Sequence, residues 1–288
     1  MRTICRAAGL ALALAVLAPA RAEDEAYDLR GPAPAKDQVT VTKTTFKITN
    51  ADVVLMVGGM KLEATQTLTA SAEEHVKVLA VEGRQATKVQ TKVVKEQVES
   101  STRIAGQNID EKKPGELQDE TIISERVKDG KWKHSLLDTR PTEKQKKELD
   151  KRVGPENQDE LYPEGRVKPG HTWTVDASAL QRIFGGSISD LKGKLNMKFV
   201  KIERIDDEDC AVIELDGKIT GISQEDEGTL NVELELKGTT WRSIKTGLDV
   251  KDKATGKIRM SGKITMDGAE VDITLTGPVV IESTAKRK

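Results

Sequence analysis

The chain has 288 residues, a near-balanced charge (46 Lys and Arg against 47 Asp and Glu, formal net −1) and an aromatic content of only 3%. That length allows one large domain or two small ones. The charge balance leaves no basic footprint for nucleic acid, and the shortage of aromatic residues argues against sugar-stacking platforms and the aromatic girdles of membrane barrels.

The first 22 residues read as a secretory signal peptide. Arg2 and Arg6 supply the positive start, Ala7–Leu17 the apolar run, and Ala20-Arg21-Ala22 the small-x-small pattern for cleavage before Glu23. The run is too short to span a bilayer as a helix, and no later segment is long and apolar enough to do so. Cleavage there leaves Cys210 as the one cysteine, so no intramolecular disulfide is expected despite an oxidising compartment. In the run Cys210-Ala-Val-Ile-Glu-Leu it reads as a small buried apolar residue. With no Asn-x-Ser/Thr site anywhere in the chain, the expected address is bacterial, periplasmic or secreted.

Residues 23–37, acidic and then rich in Pro and Ala, read as a disordered leader. Residues 38–153 follow as an N-terminal β-meander region, with candidate strands at 38–49, 60–70, 74–82, 86–99, 101–109, 118–128 and 131–138. Gly83-Arg84 and Asp129-Gly130 are expected hairpin turns. Val53-Val-Leu-Met-Val-Gly-Gly-Met60 stands apart as an uncharged run without alternation. It is expected to be a fully buried strand or the wall of an apolar cavity. Thr142–Arg152 reads as a short helix with Thr142 as N-cap candidate and Glu143–Lys147 and Glu148–Arg152 as i,i+4 pairs.

Residues 154–170 read as a Pro/Gly-rich link, and 171–288 as a C-terminal β-meander region that opens with a second short helix, Asp176–Phe184, ending at Gly185-Gly186. The strands here alternate cleanly. Leu195, Met197 and Phe199 share one face, as do Ala211, Ile213 and Leu215. Leu230, Val232, Leu234 and Leu236 repeat the pattern, followed by Ile258 to Met266 and Val271 to Leu275. Asp206–Asp209, Gln224–Gly228, Asp252–Gly256 and Asp267-Gly268 are the expected turns. Connections this short hold no crossover helices, so the strands are expected to be antiparallel neighbours. The fold class read from the whole is mainly β, with long antiparallel meander sheets and two short helices. One continuous sheet, curved as a half-barrel, is favoured because neither half shows a complete sandwich pattern.

Catalytic vocabulary is sparse. The chain's three histidines, His75, His134 and His171, stand in no metal-ligand spacing, and no phosphate-binding glycine loop, serine elbow or cofactor pattern occurs. Asp206–Asp209 and Glu225–Glu227 lack the spacing of a calcium loop and read as solvated hairpin tips. His171 with Asp176 is the one acid/base couple worth weighing, though no nucleophile or orienting group accompanies it. The simpler reading of Val167–Val175 is a Pro169-Gly170 turn that delivers Trp173 to the core.

The segment Pro163-Glu-Gly-Arg-Val-Lys-Pro-Gly-His-Thr-Trp-Thr-Val175, followed by a lysine-rich meander, resembles an uncharacterised family of exported bacterial β-rich proteins. Members of that family carry a Val-Lys-x-Gly-Asp-x-Trp phrase; His171 stands here where they have Asp. The resemblance covers roughly 160–283 and implies location and fold style. The general outline, a long antiparallel sheet with a helix over one face, is also similar to the curved half-barrels of periplasmic lipoprotein carriers.

The function expected from these readings is non-enzymatic binding outside the cytoplasm, of an apolar small molecule or lipid held on a curved sheet. Val54, Leu55, Met56, Met60 and Trp173 are the expected lining residues. No cofactor or metal is expected. The alternatives are an envelope module that binds another protein through a patch or strand edge, and a hydrolase built on His171.

Overall fold

The computed structural model describes residues 25–288, except 129, 156–157, 181–187, 226–227 and 267. The expected signal at 1–22 and the ends of the 176–184 and 225–227 readings lie outside the described residues.

The chain is mainly β. Two very long strands open it, β2 (Val39–Val57) and β3 (Met60–Glu82), after a short β1 (Tyr27–Asp28). They are followed by β4 (Gln85–Ile104), β5 (Gln107–Pro114), β6 (Thr121–Arg126) and β7 (Trp132–Leu136). Helix α1 (Glu143–Lys151) and the single turn α2 (Gln158–Leu161) come next, then β8 (Arg166–Val167) and β9 (Thr172–Asp176). Five long strands complete the chain: β10 (Ile188–Ile205), β11 (Glu208–Glu225), β12 (Gly228–Ser243), β13 (Asp249–Met266) and β14 (Ala269–Arg287). Every pairing is antiparallel, and the order is β7-β6-β4-β3-β2-β14-β13-β12-β11-β10-β9, with β5 beside β4. The last strand pairs with the second, from Val271 opposite Val57 to Arg287 opposite Thr40, so both β-rich regions belong to one open sheet.

Two faces follow from the alternation. Along β12, Leu230, Val232, Leu234 and Leu236 are buried while Asn231, Glu233, Glu235 and Lys237 are exposed. The outward face carries ion pairs such as Lys218 with Glu233 at 3.1 Å and Lys253 with Glu282 at 3.2 Å. A lipid-facing barrel wall requires an apolar band; this outward face of the C-terminal strands is built for water. Among the described residues no helix is long and apolar enough to cross a membrane.

The inward face is rolled tightly. Partners across an antiparallel pair share a face, and register links Leu195, Gly217, Leu236, Gly256 and Val279 into one inward row. Glycine alternates with large aliphatic residues along it. Backbone crowds both glycines: a Cβ on Gly217 or Gly256 would meet the carbonyl oxygen of Lys194 or Glu235, respectively. The neighbouring strand closes over the missing side chain, and the sheet bends there.

The large core fills this concavity, with Phe199, Ile213, Ile219, Leu234 and Val279 at its centre. A smaller cluster of Val93, Leu117, Ile122, Leu136 and Leu149 sits where α1 packs on the N-terminal strands. Thr142 caps α1 as expected. Its hydroxyl accepts from the Gln145 N–H, while the Gln145 side chain accepts from the Thr142 N–H in a capping box.

Several expectations are corrected. Part of the 23–37 leader is ordered: β1 pairs with β8, the Tyr27 ring meets Phe199 edge-on at 5.9 Å, and Leu29 is 1% exposed. Its apolar residues are few, but they are spaced to reach the core. The 154–170 link likewise contributes buried Leu161, Tyr162 and Val167. The Val53–Met60 run is neither a fully buried strand nor a strand at all throughout. Gly58 and Gly59 both have positive φ (56° and 87°), so the chain turns back on itself and Met60 pairs with Val57 at a hairpin tip. Asp252–Gly256 is not a turn but the middle of β13; the connection lies at 244–248. The breaks expected within 70–74 and 99–101 are absent: β3 and β4 run on through both, and the irregularity at Glu73/Glu74 is a register shift rather than a break. The described part of the second expected helix, Ala177–Leu180, is a 3-10 turn, with Asp176 accepting hydrogen bonds from the backbone and hydroxyl of Ser178.

Candidate functional site: a cavity in the rolled sheet

A cavity of about 390 Å3 lies against the concave face, within the range of small-molecule sites. Its deep wall is aliphatic. Leu195 and Met197 of β10, Leu215 and Ile219 of β11, Leu236 of β12, Ala254 of β13 and Ile281 of β14 all line it. Leu161, Tyr162 and Leu180 close it from the side opposite the sheet.

One end is polar. Register continues the inward rows past Ala254 and Ile281 to Thr240, Asp252, Ser283 and Thr44, and these side chains also line the cavity. Thr44 donates from its hydroxyl to Ser283 at 3.5 Å. Glu74, on the same wall, pairs with Arg152 at the end of α1 at 2.5 Å.

The closure is held by one fully buried cation. Arg242 has no exposed surface, and its Nη1 donates to Asp249 Oδ1 at 2.7 Å. Its Nε donates to the Leu29 carbonyl and its Nη2 to the Arg30 carbonyl at 3.3 Å. The guanidinium lies 3.7 Å from the centre of the Tyr162 ring, and the Tyr162 hydroxyl donates to the same Asp249 oxygen at 2.8 Å. Arg30 in turn donates to the Tyr162 carbonyl at 3.1 Å. Sheet, N-terminal segment and the 158–162 segment thus meet at one side chain. Buried charge is costly unless paired and hydrogen-bonded, and here each group of the guanidinium has a partner.

The residues expected to line a ligand site are placed as follows. Trp173 packs beside the core, stacks on His171 with ring centres 5.9 Å apart, and donates its indole N–H to the Leu161 carbonyl at 2.9 Å. It therefore supports a residue of the cavity wall. Leu55 points inward, half-buried, near the far end of β2. Val54 and Met56 point to the opposite face, and Met56 is 38% exposed. Met60, at the hairpin tip, is 68% exposed. None of these residues is among those that line the cavity.

The His171–Asp176 couple is not formed. The two residues flank β9 at its opposite ends, and the Asp176 carboxylate is held below its ordinary pKa by the backbone and hydroxyl of Ser178. A different pair is close: Ser124 and His134 face each other across β6 and β7, with Oγ 2.8 Å from Nδ1. Burial, helped by nearby Arg152, lowers the His134 pKa. Ser124 is buried, so this pair ties two strands together rather than presenting a nucleophile. Among the described residues no group of three or more His, Cys, Asp or Glu is placed to hold a metal ion.

Tyr162 and Asp249 were not singled out in the sequence. One signal was there: Arg242 falls on the dry face of a strand whose other residues on that face are Leu, Val, Gly and Thr. A cation in that position announces a buried partner.

No protein-family model matches the sequence, and no curated protein matches it. Among solved structures the chain is similar to a DUF1329 family protein from Desulfovibrio piger, at 10% identity and a TM-score of 0.21 over 87% of this chain and 84% of that one. It is also similar to the COG4313 outer membrane channel from Pseudomonas putida F1, at 7% identity and a TM-score of 0.24 over 90% of this chain and 98% of that one.

Proposed function

We propose that this chain is an exported binding protein, without catalytic chemistry of its own, that holds an apolar or amphipathic small molecule or lipid inside the rolled sheet. The observation that carries this reading is the cavity of about 390 Å3, whose deep wall is aliphatic and whose other end gathers hydroxyl and carboxylate groups. Such a wall gains by covering hydrocarbon, roughly 25 cal/mol for each Å2 removed from water. The polar end gives a headgroup hydrogen-bond partners. Export rests on the signal-like residues 1–22 and on the resemblance of the Val167–Trp173 phrase to exported β-rich proteins. The water-facing outer surface fits a protein that moves through an aqueous compartment.

The test is native mass spectrometry of the mature protein, purified gently from its own host. A bound mass that disappears on organic extraction is expected, and its identity gives the ligand class. A clean apo mass after gentle purification overturns the carrier reading and favours an envelope protein-interaction module.

A further inference from the structure

The cavity's inward rows do not stop at its wall. Met197, Leu215, Gly238, Ala254 and Ile281 are cross-strand partners in sequence, and Ile281 then pairs with Phe46, Phe46 with Ala70, and Ala70 with Val98. The adjoining row runs from Val279 to Ile48 and Leu68 and ends at Ser100, and beyond the Ala51, Gln66 and Thr102 row another runs from Leu275 to Val53, Ala64 and Ile104. A mainly apolar strip, centred on Phe46, Ala70 and Val98, therefore passes from the covered C-terminal half into the N-terminal half. There the cover ends. Phe46, Leu68 and Ala70 are half-exposed, and Val98 and Leu62 on the same face are 41% and 44% exposed. The row terminates at edge strand β5, where Lys113 faces Val98 and pairs with Glu111 at 2.9 Å.

We infer that this open trough is the second part of the ligand site, and that the ligand is a long-chain lipid rather than a compact apolar molecule. The inference rests on the carrier reading above. Continuity is the first argument: Ile281 lines the cavity and pairs with the first residue of the trough, so a chain leaving the cavity there stays on apolar surface. Length is the second. Strands lie about 4.8 Å apart, so the path from Ile281 on β14 to Val98 on β4 is roughly 14 Å. One leaflet's hydrocarbon is about half of a bilayer core of ~30 Å, so the trough is long enough for the part of an acyl chain that leaves the cavity. Charge is the third. The hydroxyl and carboxylate groups of Thr44, Asp252 and Ser283 hold a headgroup at the cavity's polar end, so a short chain stays against the aliphatic wall while a long one passes Ile281 into the trough and ends before the exposed Glu111–Lys113 pair. A compact ligand confined to the cavity would leave all of this surface uncovered.

The experiment compares lysophosphatidylcholines with eight-, twelve- and sixteen-carbon chains, each below its micelle-forming concentration, on the full mature protein. Binding is read by titration calorimetry and by native mass spectrometry for stoichiometry. Affinity is expected to rise with chain length through sixteen carbons. Ala70→Glu, which places a charge mid-trough, is expected to weaken the sixteen-carbon probe by about ten-fold or more while leaving the eight-carbon probe unchanged. Val98→Lys, at an already exposed position, repeats the test if Ala70→Glu fails to fold. Chain-length dependence that ends at eight carbons, or equal effects of both variants on short and long probes, overturns the trough and leaves the cavity reading in place. Failure of every probe to bind overturns the trough, whereas the carrier reading falls only if the gently purified protein also carries no bound mass. A protein dimer that masks the trough and excludes the long probe also overturns it.

Discussion

Arg242 and Asp249 stand at adjoining ends of β12 and β13, 2.7 Å apart, and the Leu29–Arg30 and Leu161–Tyr162 segments are both tied to this pair. Removing one partner of a buried ion pair leaves the other charge uncompensated, at a cost of about 3–5 kcal/mol. Arg242→Met is therefore expected to lower the urea midpoint strongly and to release the Leu29 and Tyr162 segments, which limited proteolysis will detect as cleavage before residue 35 and near residue 160. Replacing both partners, as Arg242→Met with Asp249→Leu, removes the stranded charge. The double variant is expected to recover a large part of the loss, and a double-mutant cycle measures the coupling. A double variant as unstable as the sum of the two singles would show that the two side chains act independently.

A second relationship concerns Leu236 and Gly256, which face each other on the inward side of β12 and β13. A Cβ at Gly256 would fall within contact distance of the Glu235 carbonyl and the Leu236 backbone, neither of which is the movable end of a flexible side chain. Gly256→Val is expected to be more disruptive than its raised strand propensity suggests. The expected result is a loss of more than about 2 kcal/mol in chemical denaturation, with near-native strand content by circular dichroism. Gly268→Ala serves as the comparison: at that hairpin position no atom lies within reach of a new Cβ, and only the positive φ of 81° opposes the change. An equal or smaller effect at Gly256 would remove close backbone approach as the cause of the bend.

How much of this was legible in the sequence follows from which physical signal each element emits. The C-terminal strands were readable because one face is wet and one is dry. The alternation of Leu230 to Leu236 with polar neighbours is reproduced residue for residue by burial. The N-terminal strands were harder to delimit. Their inward residues include Thr42, Thr44, Ala70 and Ala72, so the contrast between faces is weak, and breaks were expected inside β3 and β4. The Val53–Met60 run carried hydrophobicity without an address: Gly58-Gly59 decides whether such a run lies inside or turns at a tip. The cavity's cover was invisible because Leu29, Leu161 and Tyr162 are isolated apolar residues in Pro- and Gly-rich stretches. Only the sheet's curvature brings them together, and that curvature depends on cross-strand register, which periodicity does not encode.

The polar cluster beneath α1 sets a pH dependence with two opposed parts. Burial raises the Glu96 pKa, against the pull of Arg152 and a hydrogen bond from the Leu117 backbone. The folded state therefore binds a proton at a pH where the unfolded chain does not, and stability from this group rises as pH falls toward the ordinary carboxylate value. His134 acts the other way. Burial and Arg152 lower its pKa, so the unfolded chain protonates first and stability falls as pH drops through the ordinary imidazole value of 6.5. His134→Gln is expected to abolish the fall that begins below neutral pH, and Glu96→Gln to stabilise the protein at neutral pH and abolish the later gain. Urea midpoints between neutral pH and about pH 4.5 separate the two. Identical pH profiles in wild type and both variants would place the titrating groups elsewhere.

Cys210 offers a reporter for the opening of the C-terminal sheet. It lies at the start of β11, fully buried, opposite Glu203 on β10 and Ser243 on β12. Burial and the neighbouring Glu208 and Asp209 carboxylates push its thiol from 9.0 up to about 11. Two pKa units cut the reactive thiolate about a hundred-fold at a given pH, and burial blocks the reagent besides. The native protein is expected to resist a maleimide or an aromatic disulfide over hours and to react promptly in urea. Its residual native-state rate then measures how often this end of the sheet opens. Arg242→Met is expected to raise that rate, because Ser243 follows Arg242 directly on the strand that covers Cys210. An unchanged rate in that variant would mean that the Arg242 node secures the cavity's cover without holding the strands themselves.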